Sequence, residues 1–167
     1  MDNFSPILPF RQTTDKLLQT LSEIPEEDFN RKPNAESWSA AQVGEHLLKS
    51  YGVTEMLLAP AEKTDRAADE QVKMIRDLFL DFSIRMQSPE EILPSEDPID
   101  QTELLDQLKI RFREFEEIMD ITDLQQLCTN FVVPEFGAFT RLEWIWFAIY
   151  HTQRHVQQLS QINLKTI

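Results

Sequence analysis

Cysteine is almost missing from this chain: its single thiol, Cys128, cannot close an internal disulfide, which sets aside crosslinked scaffolds and fits a reducing compartment. A small buried thiol is the simplest expectation for it. Glycine occurs only three times and strict polar/apolar alternation is rare, which argues for helices over strands. Basic side chains are outnumbered, 16 Lys and Arg against 29 Asp and Glu. The resulting net charge of −13 repels phosphate backbones and anionic lipid, so nucleic acid is not an expected partner. Long hydrophobic runs are absent too. The most apolar stretch, "LEWIWFAIY", is too short to cross a bilayer and sits among Arg141, Glu143 and Arg154, so no membrane span is expected. The opening "MDNFSPILPFRQTTDK" has no cationic lead followed by an apolar run, which points to a cytoplasmic location. No repeat or low-complexity tract breaks the chain, and its 167 residues suit one domain over 1–167 with its own core.

What is present is helical grammar. Apolar residues recur at spacings of three and four, and three helix starts carry both a capping box and a hydrophobic staple. Ser39 caps with Gln42 three residues on, and Trp38 faces Val43. Asp100 caps with Glu103, and Ile99 faces Leu104. Thr140 caps with Glu143, and Phe139 faces Trp144. Helices are expected over 39–58, 101–120 and 140–162, preceded by one that starts between Ser5 and Pro9 and buries Phe10, Leu17, Leu18 and Leu21. Four amphipathic helices bury their stripes most simply as an all-α four-helix bundle. The stretch 59–99 is longer than a simple bundle loop, so a long crossover is implied. Val72, Ile75, Phe79 and Phe82 suggest a short extra helix within it, followed by the proline-punctuated, extended "SPEEILPSEDPID". The connection 121–139 ends in "VPEFGAF", which reads as a turn.

The chain holds three histidines, and two of them, His151 and His155, lie one helical turn apart in its most apolar helix. Positions i and i+4 share a face about 6 Å apart along the axis, so both imidazoles can aim at one point. Trp144, Phe147, Ala148, Leu159 and Ile162 fall on the same side. The pair alone is a weak signal, because Thr152 stands where the zinc-protease motif H-E-x-x-H has glutamate. Two core imidazoles without a metal would nevertheless desolvate four ring nitrogens, each needing a partner. His46, at the edge of the arc Val43, Leu47, Tyr51, Thr54 and Leu57, can also point inward. Three inward imidazoles from two helices are the minimum for a three-ligand site with an open position, and they suit Zn, Ni, Co or Fe(II) over Mg or Ca.

Two segments carry a resemblance. "RKPNAESWSAAQVGEHLLKS" and "EFGAFTRLEWIWFAIYHTQRHVQQL" resemble the helix-2 and C-terminal signatures of the DinB/YfiT-like superfamily, a Trp-Ser helix start followed by His-Leu, and an H-x-x-x-H helix followed by Gln-Leu. The resemblance implies a four-helix bundle of up-down-down-up topology, with His46, His151 and His155 binding a divalent metal, often zinc or nickel, and assembly as a homodimer. It also implies chemistry with low-molecular-weight thiols, since characterised relatives include thiol-dependent transferases and isomerases.

Such a site can lower the pKa of a bound water toward about 7 or take a thiol as thiolate. The sequence therefore favours a metal-dependent thiol S-transferase or hydrolase acting on a small molecule. Gln158, Trp38 and Arg154 are candidates for supporting a ligand or touching substrate: Gln158 lies near the His151/His155 face, Arg154 suits an anionic substrate or equally the shielding of a helix end, and Trp38 borders the site if its staple role does not absorb it. Glu45 points away around the helix and is expected to be a solvated surface charge. The alternative is a non-catalytic metal-binding stress or binding protein, which a fourth protein ligand would favour, Cys128 being the only thiol available.

Overall fold

The computed structural model describes residues 5–165, with side chains described as far as Ile162. Seven helices and one hairpin follow in the order α1 (Ile7–Ser22), α2 (Glu26–Phe29), α3 (Ala40–Ser50), α4 (Thr54–Leu58), α5 (Val72–Leu80), α6 (Gln101–Ile121), β1 (Leu127–Val133), β2 (Gly137–Thr140) and α7 (Arg141–Lys165). The four long helices α1, α3, α6 and α7 form a four-helix bundle. In it α1 and α3 each pack against both α6 and α7, so α1 lies diagonally across from α3. None of the described helices is long and apolar enough to cross a membrane.

The stripes that define these helices are buried as their spacing requires. Phe10, Leu17 and Leu21 of α1, Val43 and Leu47 of α3, Leu104, Leu108, Phe112, Phe115 and Met119 of α6, and Trp144, Ile145, Ala148 and Ile149 of α7 belong to one buried core. Phe10 lies at the middle of an aromatic knot, stacked on Phe115 and edge-on to Tyr51 and Phe112. α3 packs tightly on α6 at Gly44, where an added Cβ would lie 2.7 Å from Leu104 Cδ2.

The helix starts are held by the expected side chains. Ser39 and Gln42 complete a reciprocal capping box. Asp100 accepts the Glu103 N–H at 2.8 Å, but the Glu103 carboxylate accepts from Gln107 instead, so only half of that expected box forms. Thr140 and Glu143 also bond reciprocally, and Glu143 has a second duty: its buried carboxylate takes two 2.7 Å bonds from Arg66 and the Gln71 N–H. The crossover is thereby tied to the start of α7.

Three expectations need correction. The helix over 39–58 is interrupted by a 3-10 turn at Tyr51–Val53, where Gly52 weakens helical propensity. The extra helix ends at Leu80, so Phe82 lies beyond it and is 53% exposed. The "extended" run after it contains a 3-10 turn, Glu90–Ile92, and lies against α3. The all-α bundle also carries one small hairpin: β1 and β2 pair antiparallel, Val133 opposite Gly137, around a turn closed by the Phe136 N–H to the Val133 carbonyl. Pro134 suits the first corner of that turn and Glu135 occupies the second with φ of +71°. The strands escaped detection because Cys128 is the only buried residue of β1, so no alternating apolar pattern exists to be read.

Candidate metal centre

α3 carries His46 inward about two turns after its cap, and α7 carries His151 and His155 onto the same point. The His151 Nε2 lies 3.1 Å from both His46 Nε2 and His155 Nε2, and the three donor atoms all fall within 4.8 Å of one another. His46 is fully buried and His155 is 9% exposed.

The outer nitrogens decide what this cluster wants. His46 Nδ1 is 2.8 Å from the Ile92 carbonyl oxygen, and His155 Nδ1 is 2.8 Å from Gln158 Oε1. Both partners can only accept, so each Nδ1 carries its proton and each Nε2 presents a lone pair to the centre. One proton on His151 Nε2 could satisfy one of those lone pairs at a time; a cation satisfies all three. The two 3.1 Å separations also lie between the roughly 3.0 Å and roughly 3.4 Å expected of neighbouring donors about 2.1 Å from an octahedral or tetrahedral ion, and the third is within 4.8 Å. The residues present therefore fit a divalent transition metal on geometry, tautomer and donor chemistry.

Electrostatics agree. Burial lowers the pKa of all three rings, with His155 brought down to about 3 by burial and then by the charge of His46, and His151 well below its ordinary value. Lys49 acts in the same direction on His46, and Arg154 on the other two. The rings are thus neutral at neutral pH, the form that can bind a cation.

The surrounding wall is aromatic. Trp38 lies 4.9 Å from His46 and stacks near-parallel to His155 at 6.3 Å, so it borders the site whatever it does as a staple. Phe79 and Phe147 lie 5.4 and 6.1 Å from His151. Arg154 turns instead to the end of α5, donating to the carbonyls of Phe79, Asp81 and Ile84, three neutral acceptors that occupy its guanidinium. It caps the negative end of a helix rather than facing the centre as a free cation.

One further residue departs from the sequence reading and another follows it. Glu45 is no solvated charge: it accepts the Ser95 N–H at 2.5 Å, and its side chain is 20% exposed. Cys128 is the buried thiol expected, outside the histidine group, with its pKa raised by that burial. Among the described residues, the group that could hold an ion consists of the three histidines and no Cys, Asp or Glu beside them.

YuaE of Bacillus subtilis (strain 168), an uncharacterized protein, is 26% identical over 151 residues, spanning 87% of this chain and 89% of its own. Among solved structures, YfiT from Bacillus subtilis, described as a probable metal-dependent hydrolase with an unusual four-helix bundle topology, matches with a TM-score of 0.60 at 16% identity. The match covers 96% of this chain and 85% of YfiT. TT2238, a four-helix bundle protein, matches with a TM-score of 0.54 at 20% identity, covering 93% and 95%. These two likenesses show the shared fold. The sequence profile of the DinB superfamily matches residues 10–159, nearly the whole bundle and all three histidines, and the chain belongs to that superfamily.

Proposed function

We propose that this protein is a divalent-metal-dependent enzyme acting on a small molecule, with His46, His151 and His155 as the metal ligands and an open position for a co-substrate. The observation that carries the reading is the convergence of three Nε2 atoms, two of them with their protons pinned on the far nitrogen, in a group without a fourth ionisable donor. The same arrangement supports zinc or nickel over a hard, oxygen-seeking ion. When bound, such an ion supplies Lewis acidity, polarising an electrophile and acidifying a thiol or water brought to it. The chain's own part is to keep three ligands neutral, to hold their rings through Ile92 and Gln158, and to line the approach with Trp38, Phe79 and Phe147, which exclude bulk water.

A thiol-dependent transfer is favoured within this reading, with hydrolysis as its competitor. Neutral ligands leave a dipositive charge uncompensated, which suits an anionic thiolate. Glu45, the nearest carboxylate in sequence, is engaged with Ser95 rather than free to take a proton from water. Metal analysis tests the site first: about one equivalent per chain is expected in the wild type and none in His151→Ala or His155→Ala. Stoichiometric metal in both variants would exclude this site. Assays with electrophilic acceptors, with and without low-molecular-weight thiols, then separate the chemistries. Turnover that needs both metal and thiol supports the transferase, and metal-dependent turnover without thiol supports the hydrolase.

A further inference from the structure

We infer that Glu45 is a positioning residue for the metal centre, acting through a strap, residues 90–95, that it holds against α3 so that the Ile92 carbonyl can orient His46. The inference rests on the three-histidine reading above. One face of α3 grips the strap. Gln42 donates to the Ser95 carbonyl at 3.0 Å, Glu45 accepts the Ser95 N–H, His46 Nδ1 donates to the Ile92 carbonyl, and Lys49 donates to the Leu93 carbonyl at 2.8 Å. Positions 42, 45, 46 and 49 are spaced as neighbours on a helix surface, so a single face presents all four groups.

The strap has little else to hold it. None of residues 90–95 is buried, and Leu93 is 42% exposed. A segment attached by hydrogen bonds and not by core packing opens locally at low cost, so a few contacts set whether it is docked. Glu45 supplies the only acceptor that α3 offers the strap's backbone among these contacts, and it forms a charge-assisted bond of 2.5 Å.

The coupling follows from the tautomer. His46 can offer its Nε2 lone pair to an ion only with the proton on Nδ1, and the docked Ile92 carbonyl is what favours that proton. An ion bound to His46 must then favour the docked strap by the same factor that docking favours the ion, because linkage is reciprocal.

Zinc affinity by chelator competition, measured on wild type, Glu45→Ala and Glu45→Gln, tests the inference. Thermal unfolding in chelator accompanies it to show that each variant is folded. Glu45→Ala is expected to bind zinc about 10- to 100-fold more weakly. Glu45→Gln, whose amide oxygen still accepts the Ser95 N–H, is expected to stay close to the wild type. Hydrogen exchange of the Ser95 amide in the wild type gives an independent reading that needs no variant: zinc is expected to slow it. Wild-type affinity in Glu45→Ala, equal losses in both variants, or Ser95 exchange indifferent to zinc would each overturn the role of Glu45. A wild type that binds no zinc would instead overturn the reading of the histidine site itself.

Discussion

Burial disfavours the charged form of His155, which is why its pKa falls to about 3, and the charge of His46 adds to the effect. In the unfolded chain the same ring titrates near 6.5. Between those values the unfolded state holds more protons than the native one, so stability rises with pH through that window and levels off above it. Metal-free protein should therefore lose stability as pH falls from 7 to 4, with His155 contributing at most about 1.4 kcal/mol per pH unit. Denaturant titrations of wild type and His155→Gln in chelator check this: the variant should show the shallower slope, and equal slopes would contradict it. Tyr51 shows another residue-level commitment. Thr152 gives its hydroxyl proton to the Ala148 carbonyl, so the buried Tyr51 hydroxyl donates to Thr152 Oγ1 at 2.7 Å. Tyr51→Phe should cost about 0.5–1.5 kcal/mol in chemical unfolding and leave metal content unchanged. The histidines were legible at this scale because spacing and burial are local consequences of a helix. The role of Glu45 was not, since its partner lies fifty residues away in a strap without a distinctive composition.

Among elements, the caps were the most readable features, because a capping box is written within four residues. What the sequence did not disclose is that the Glu143 box is also the anchor of the crossover. Its carboxylate is fully buried against Arg66. Glu143→Ala strands the guanidinium and the N–H groups of Gln71 and Thr140, and should cost about 3–5 kcal/mol, read as a lower midpoint in denaturant. The hairpin gives a second test. Gly137 has φ of +83° with open space where a Cβ would lie, so Gly137→Ala meets backbone strain and no clash. A loss of about 1–2 kcal/mol is expected in the same experiment. The strands themselves were hidden because their pairing depends on backbone bonds across a largely exposed ribbon, which leaves little trace in the order of side chains.

In the molecule as a whole, α3 and α7 are neighbours in the bundle, and the histidines bridge them. An ion at that bridge ties two long helices together and binds only the native state. Zinc at about a hundredfold above its dissociation constant should add about 2.7 kcal/mol, a rise of roughly 5–10 °C in Tm for a chain of this size, and should add nothing to His151→Ala. The bundle could be read from four apolar stripes because each must find a partner face. The strap over α3 could not, because it is held by polar contacts that no stripe announces.

X-ray absorption at the metal edge of the loaded protein tests the central claim most directly. Three imidazole nitrogens at about 2.0–2.1 Å and an exchangeable light donor are expected, the latter replaced by sulfur at about 2.3 Å when a small thiol is added. A shell without three imidazoles, or one completed by protein donors and unmoved by thiol, would contradict the account.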